Sequence, residues 1–424
     1  MWILILLFGM ATLVLAWTLF AYFLLIWFIG LFRSSEEPAF PDAWPRLSIV
    51  VPTYNEMAQI ADKVANLRRL DYPRELLEVV FVDGGSTDGT VEWLEREVHE
   101  DGFRVERSPR GGKIQQINHV LPSLTGEIIV NTDADALLEE DAARWLVAEM
   151  ASDPDVWLVG AYCRPADNAY RIDRYYWDAQ NKARFMEARA GTTSIVVAPC
   201  YAFRRGLIDQ FPDDVVADDI YIAFMCHLNG KSALYSRHAR AVELRNPRDL
   251  SEFLPHKFRK SNAFLRECLR FLYRLPEMTP FSRLMLLTRI GQQLLFPWAS
   301  AWWLLLAGSL VTLNPDPRYD VVAMAAAGLF VLFVLTSRAY RAVKLPEDKP
   351  QRYSLFTVAK GWVLTTLILL TTGLSYPFYR QSSTYARLAE DVPKPADSLP
   401  PVPSAAPDDA SERLEEAELA EEAR

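Results

Sequence analysis

No charged side chain occurs between Trp2 and Phe32. A run of about 20 apolar residues suffices to cross a bilayer, so this stretch reads as a retained membrane helix. A cleaved leader would want a basic start and a shorter apolar core, and no Lys or Arg precedes Arg33. Cysteine is scarce: Cys163, Cys200, Cys226 and Cys268 stand far apart without CxxC spacing. That pattern argues against a zinc site and a disulfide framework, is compatible with a reducing compartment, and reads as small buried hydrophobes. A basic excess is missing too. The net charge of -9 comes almost wholly from Glu390–Arg424, where eleven acidic and three basic residues give -8. The remainder, near neutral at -1, lacks the basic surplus of a nucleic-acid binder.

What is present divides the 424 residues into zones. Residues 1–32 form the N-terminal transmembrane helix, 33–46 a polar linker, and 47–246 a soluble α/β domain. Residues 247–290 alternate basic and apolar side chains, as interfacial amphipathic helices on anionic lipid do. Residues 291–380 hold three further apolar runs: Gln293–Leu313 (interrupted by Pro297), Val321–Leu335, and Gly361–Phe378. The second is short for a span. Residues 390–424 are Pro-, Ala- and Glu-rich, a disordered acidic tail by composition. Arg33 and the group Arg338, Arg341, Lys344, Lys349 and Arg352 place the soluble domain on the cytosolic side of a multi-pass cell-membrane protein.

Within 47–246, short apolar strands alternate with helical segments: a strand at 47–52, a helix at 57–70, a strand at 76–82, a helix at 87–99 and a strand at 127–131. This order implies a largely parallel sheet with helices on both faces, binding ligands at the carboxyl ends of its strands. Polar clusters sit at those ends. Asp83 opens the turn Asp83-Gly84-Gly85-Ser86-Thr87-Asp88-Gly89, where glycine lets backbone approach a ligand, although many structural turns look alike. Asp133-Ala134-Asp135 places two carboxylates at a strand end, suited to one divalent cation or, equally, to capping a helix at Leu137–Met150. Asp218-Asp219 precedes the apolar helix 220–228, either as a cap or as the seat of a general base.

Together these segments resemble the family 2 glycosyltransferases of GT-A fold, over about residues 47–260. Val51-Pro52-Thr53-Tyr54-Asn55-Glu56 is similar to the family's VPxYNE, Asp83–Thr90 to DDGSTDGT, and Gly112-Lys113 with Asn118 to GKxxAxN. Asp133-Ala134-Asp135 matches its DxD, and Asp218-Asp219 its ED. The resemblance implies a GT-A, Rossmann-like mixed sheet combined with transmembrane helices, and an inverting transfer from a nucleotide-diphosphate donor, expected to be UDP-linked. It assigns donor binding to Pro52, Thr53, Tyr54, Glu56, Asp83, Gly85, Lys113, Asp133 and Asp135. Asp133 and Asp135 would serve Mg2+ or Mn2+, and Asp219, beside Asp218, would deprotonate the acceptor. His256-Lys257-Phe258-Arg259-Lys260 stands where processive members carry QxxRW, which makes His256, Arg259 and Lys260 acceptor or phosphate candidates. Gly84 replaces the second Asp of DDG, and Lys260 replaces the Trp on which polymer synthases rely. The expected partners are a nucleotide sugar, the bilayer, and a lipid or glycan acceptor. A processive polysaccharide synthase is the alternative, and a transporter or an inactive scaffold are the rivals outside the class.

Overall fold

The computed structural model describes residues 2–33, 37–313, 316–346 and 351–379. Lys349 and the acidic tail lie outside the described residues. The first helix, α1, spans Trp2–Leu31 with one wider π turn at Trp17–Ala21. The α/β domain then runs β1 (Leu47–Thr53), α2 (Ile60–Arg68), β2 (Leu77–Asp83), α3 (Thr90–Glu97), β3 (Arg104–Arg107), α4 (Lys113–Val120) and β4 (Ile128–Thr132). It continues with β5 (Ala136–Leu138), α5 (Ala142–Ser152), β6 (Val156–Pro165), α6 (Arg171–Arg189), β7 (Cys200–Arg204), α7 (Asp218–Leu228) and β8 (Ser232–Glu243). Four long helices follow: α8 (Leu250–Arg270), α9 (Pro280–Leu313), α10 (Asp316–Ala342) and α11 (Leu355–Ser375).

The strands make one eight-stranded sheet in the order β3-β2-β1-β4-β7-β6-β8-β5. The first four are parallel, and β7 runs against both β4 and β6. The sheet is therefore mixed: parallel in its first half and reversed at β7. Alternation along β1 and β2 explains the two cores. Ile49, Val51, Val79 and Phe81 pack on one face with Ile60 and Val64 of α2. Val50, Val80 and Val82 pack on the other with Ile114 and Ile117 of α4. Strands buried on both faces read as continuous apolar runs, as these do.

One expectation fails here. Leu137 does not begin a helix: residues 136–138 pair antiparallel with β8, and α5 starts only at Ala142. The DxD segment therefore turns between two strands and caps no helix. Residues 136–138 carry no local signal for a strand so short; the partner that makes it one lies more than a hundred residues on, in β8.

α1, α9, α10 and α11 are each long and apolar enough to cross a membrane. The run at 321–335, short in the sequence, is extended to Ala342 by helical residues on its C-terminal side. Phe8 packs against Leu306 and Leu310, and Leu15 against Phe296 and Ala299. Pro297 sits inside α9 without ending it. The π turn of α1 has a use: the Thr18 carbonyl accepts a 2.9 Å bond from Gln292 Nε2, and Trp17 Nε1 donates to Thr288 Oγ1 at 3.0 Å. The link between sheet and apolar helices is α6. Its Met186 packs with Tyr22, Ile26 and Met285, and its Arg189 donates to the Gly30 carbonyl at 2.9 Å. The stretch expected to be interfacial, residues 247–290, holds α8, N-capped by Asp249, and the first turns of α9. α8 buries Phe253, Leu265 and Cys268, and the connection after it leaves Tyr273 exposed.

Candidate active site

A cavity of about 1060 Å3 opens over the carboxyl ends of β1, β2 and β4. Register places Thr53 beside Asp83, so the two loops leaving β1 and β2 start level and clasp each other. Asn55 takes a left-handed backbone (φ 53°), its Oδ1 accepts from Thr87 N at 2.8 Å, and its own N–H donates to Ser86 Oγ at 2.8 Å. Of the residues singled out in the sequence, Pro52, Tyr54, Glu56, Gly85, Lys113, Asp133, Asp135, Asp218, Asp219, His256, Arg259 and Lys260 all line this one cavity. Thr53 and Asp83 do not. Thr53 is buried, and its carbonyl receives Gly84 N at 2.9 Å. Asp83 is buried too; its carboxylate accepts from Gly85 N (2.7 Å), Ser86 N (2.9 Å) and the Ser86 hydroxyl, which shapes the glycine turn from beneath.

Charge is arranged in linked pairs. Lys113 Nζ lies 2.7 Å from Asp133 Oδ1 and 3.1 Å from Asp218 Oδ2, bridging the two acidic motifs. Burial alone would lower this ammonium, but Asp133 and Asp218 hold it above its ordinary value. Arg245 Nη2 bonds Glu56 Oε2 at 2.5 Å, and its Nε lies 3.8 Å from Asp135. Asp218 is buried, accepting from Tyr201 OH at 2.7 Å and Asn131 Nδ2 at 3.3 Å, so it does not cap α7. Asp219 lines the cavity and accepts from Ala198 N (3.1 Å) and Ile220 N (3.0 Å). Burial pushes its carboxyl up to about 7, and the neighbouring Asp218 charge adds to the rise. A carboxylate poised there matches a general base working near neutral pH. On α8, His256 is buried, and burial together with Lys260, Lys257 and Arg259 keeps its imidazole well below the usual range, hence neutral. Lys257, also on the cavity wall, pairs with buried Asp173 at 2.5 Å and lies 4.2 Å from the Tyr176 ring centre.

Among the lining residues that escaped sequence reading, three shape the site by their charge or packing. Arg245 reaches Glu56 across 189 positions, a pairing no local spacing encodes. Glu243 sits opposite Ala136 in the sheet, 3.7 Å from Lys260, and burial lifts its carboxyl to about 7. Gln116 explains the glycine that departs from DDG. A Cβ on Gly84 would stand 2.3 Å from Gln116 Nε2, which is anchored to the Thr53 carbonyl at 2.5 Å. Gly84→Ala is therefore expected to destabilise the fold by about 1–3 kcal/mol, as overpacking does. Gln116→Ala in the same chain should return most of that loss, a coupling readable from the thermal midpoints of the four variants. Additive midpoints would show that the two positions do not compete for space.

The cavity does not end in the α/β domain. Thr18 and Phe23 of α1, Gln292 and Gln293 of α9, and Trp362 and Thr366 of α11 line its far side. Fold and site together define a GT-A domain set against helices long enough to span a membrane. Residues 48–211 match the model of glycosyl transferase family 2, so the chain carries a family 2 glycosyltransferase domain. A solved mannosyltransferase from Pyrobaculum calidifontis, in complex with GDP-Man and Mn2+, is 26% identical with a TM-score of 0.64, covering 88% of this chain and 99% of that one. An N-acetylglucosaminyltransferase of Rhizobium sp. (strain N33) is 26% identical over 285 residues, 62% of this chain and 61% of the relative. A poly-beta-1,6-N-acetyl-D-glucosamine synthase of Staphylococcus aureus (strain COL) is 20% identical over 197 residues, 45% of this chain and 47% of the relative. The matched stretches thus span about three-fifths and about half of these two curated relatives.

Proposed function

We propose that the protein is an inverting glycosyltransferase that moves a sugar from a nucleotide-diphosphate donor, uridine-linked, to a lipid or lipid-linked acceptor in the bilayer. The observation that carries this reading is the single cavity shared by the DxD carboxylates, Asp219 and side chains of the apolar helices. Donor and membrane acceptor meet there without either leaving its own phase. The names of the curated relatives make N-acetylglucosamine the first sugar to test, and GDP-Man is the natural comparison. The domain faces the cytosol, by the positive residues Arg33, Arg338, Arg341, Lys344 and Arg352.

Asp133 and Asp135 are oxygen donors on one turn at the cavity wall, and among the described residues no group of three His, Cys, Asp or Glu offers a complete metal cage. That set fits Mg2+ or Mn2+, which take one or two protein carboxylates and complete their shell with water and substrate phosphate. Both aspartates would serve as ligands: Asp133 shares its charge with Lys113, and Asp135 lies 3.8 Å from Arg245. The cation, when bound, offsets charge growing on the departing diphosphate. Lys113 adds a fixed positive charge on the same side. Asp219 takes the proton of the acceptor hydroxyl, whose oxygen attacks the anomeric carbon opposite the leaving nucleotide and inverts it. His256, Arg259 and Lys260 line the same cavity from α8, and would serve the diphosphate or an acceptor phosphate.

With the purified chain, a chelator should abolish release of UDP from a UDP-sugar, and Mn2+ or Mg2+ should restore it. Full activity in excess chelator would remove Asp133 and Asp135 from the metal role. A second reading, a processive synthase that exports its polymer, is favoured by one feature: Gln292, Gln293, Thr365 and Thr366 put polar groups of α9 and α11 on the cavity wall. Polar side chains in such segments mark substrate paths.

A further inference from the structure

Lysine is almost never fully buried unless paired, because leaving a charge without water is costly. Lys63 of α2 is 0% exposed and does not line the cavity described above. Its ammonium lies under the DxD turn and grips that turn on both sides. Nζ donates to Thr132 Oγ1 at 2.8 Å, just before Asp133, and to the Ala136 carbonyl at 2.5 Å, just after Asp135. Thr132 Oγ1 passes the bond on to the Pro199 carbonyl at 2.9 Å, the same carbonyl that receives Asp133 N at 3.2 Å. The turn is closed internally by Ala136 N on the Asp133 carbonyl at 3.1 Å.

We infer that Lys63 is a positioning residue that fixes the Asp133–Asp135 turn so that both carboxylates face the cavity, and so sets the affinity for the divalent cation. This rests on the proposed metal role of those two aspartates. Two points favour it over a purely structural lysine. The two acceptors flank the DxD triplet and nothing else, so the charge is spent on one four-residue turn. Its nearby negative charges include Asp133 and Asp135, which it does not bond but whose charge it partly offsets from below. Burial draws the ammonium down to about 8, so it still carries its proton at neutral pH. Groups that orient a ligand from behind typically cost 10–100-fold in metal affinity when removed.

The test uses the full chain purified in detergent, with Mn2+ as the titrant and UDP as the companion ligand. Lys63→Met keeps the length of the side chain and removes its charge and donors. It should raise the Mn2+ concentration for half-maximal binding and for half-maximal UDP release by about 10–100-fold. Turnover at saturating Mn2+ and donor should stay within about threefold of the parent, since only metal binding is weakened. Thr132→Val, which keeps Lys63 and removes one of its acceptors, should shift the Mn2+ midpoint in the same direction by less; it also serves if Lys63→Met fails to fold. Unchanged Mn2+ midpoints with a lowered thermal midpoint would overturn the inference, leaving Lys63 as structural. Asp135→Asn separates the two levels: if it leaves the Mn2+ response intact, the metal assignment itself is wrong and the inference falls with it.

Discussion

Asp219→Asn should bind the nucleotide with near-parent affinity and turn over about 10²–10⁴-fold more slowly, the usual worth of a positioned base. The substitution keeps the size of the side chain but cannot accept the proton of an incoming hydroxyl. It keeps one of the two backbone bonds that now hold the carboxylate, from Ala198 N and Ile220 N. The pH profile carries a second signature. Asp219 acts as a base only when ionised, and burial raises its carboxyl to about 7, so parent activity should climb as pH rises through about 7. The variant's residual activity should lack that limb. Asp218→Asn behaves differently, because Asp218 is tied to Lys113, Tyr201 and Asn131. It should weaken donor binding through Lys113 and lose less in turnover at saturation. The measurement is turnover against pH beside UDP affinity for each variant. Near-parent turnover in Asp219→Asn would put the base elsewhere, and lost donor binding would move this carboxylate to the donor side.

Arg289→Met should cost about 3–5 kcal/mol of stability, since removing one partner of a buried ion pair strands the other's charge. Arg289 Nη2 meets Glu187 Oε1 at 2.8 Å, and both side chains are buried. Glu187 also accepts from Tyr22 OH at 2.5 Å and from Ser194 N and Oγ at 2.8 and 2.6 Å. One carboxylate thus joins α1, α6, α9 and the loop before β7. The double variant Glu187→Gln, Arg289→Met should recover a large part of the loss, because no unpaired charge remains. Thermal midpoints of the singles and the double in one detergent give the comparison. A double as unstable as the Arg289 single would mean that packing, and not the stranded charge, sets the cost.

The cavity's acidic residues were legible because they lie in short contiguous stretches, Asp133-Ala134-Asp135 at a strand end and Asp218-Asp219 at a helix start, whereas Asp83, equally legible, shapes its glycine turn from beneath. The strands β1, β2 and β4 were legible from their apolar runs. What the chain could not disclose is everything that depends on distant partners. β5 is a strand only because β8 pairs with it. Arg245 belongs to Glu56 and Asp135 only through the fold, and the slot that Gln116 fills becomes visible only beside Gly84. Asp218 looked like a helix cap by position, but its oxygen turns inward to Lys113 and Tyr201. The cavity itself, joining the carboxylates of the α/β domain to apolar helices, belongs to no motif at all.

That junction is tested most directly by incubating the purified chain in lipid nanodiscs with Mn2+ and a panel of labelled nucleotide sugars, then extracting with organic solvent. The account predicts label in the organic phase from one donor, lost on chelation and reduced about 10²–10⁴-fold in Asp219→Asn. Label confined to an aqueous high-mass product would favour the exporting synthase, and no label in any product from any nucleotide sugar would contradict the account.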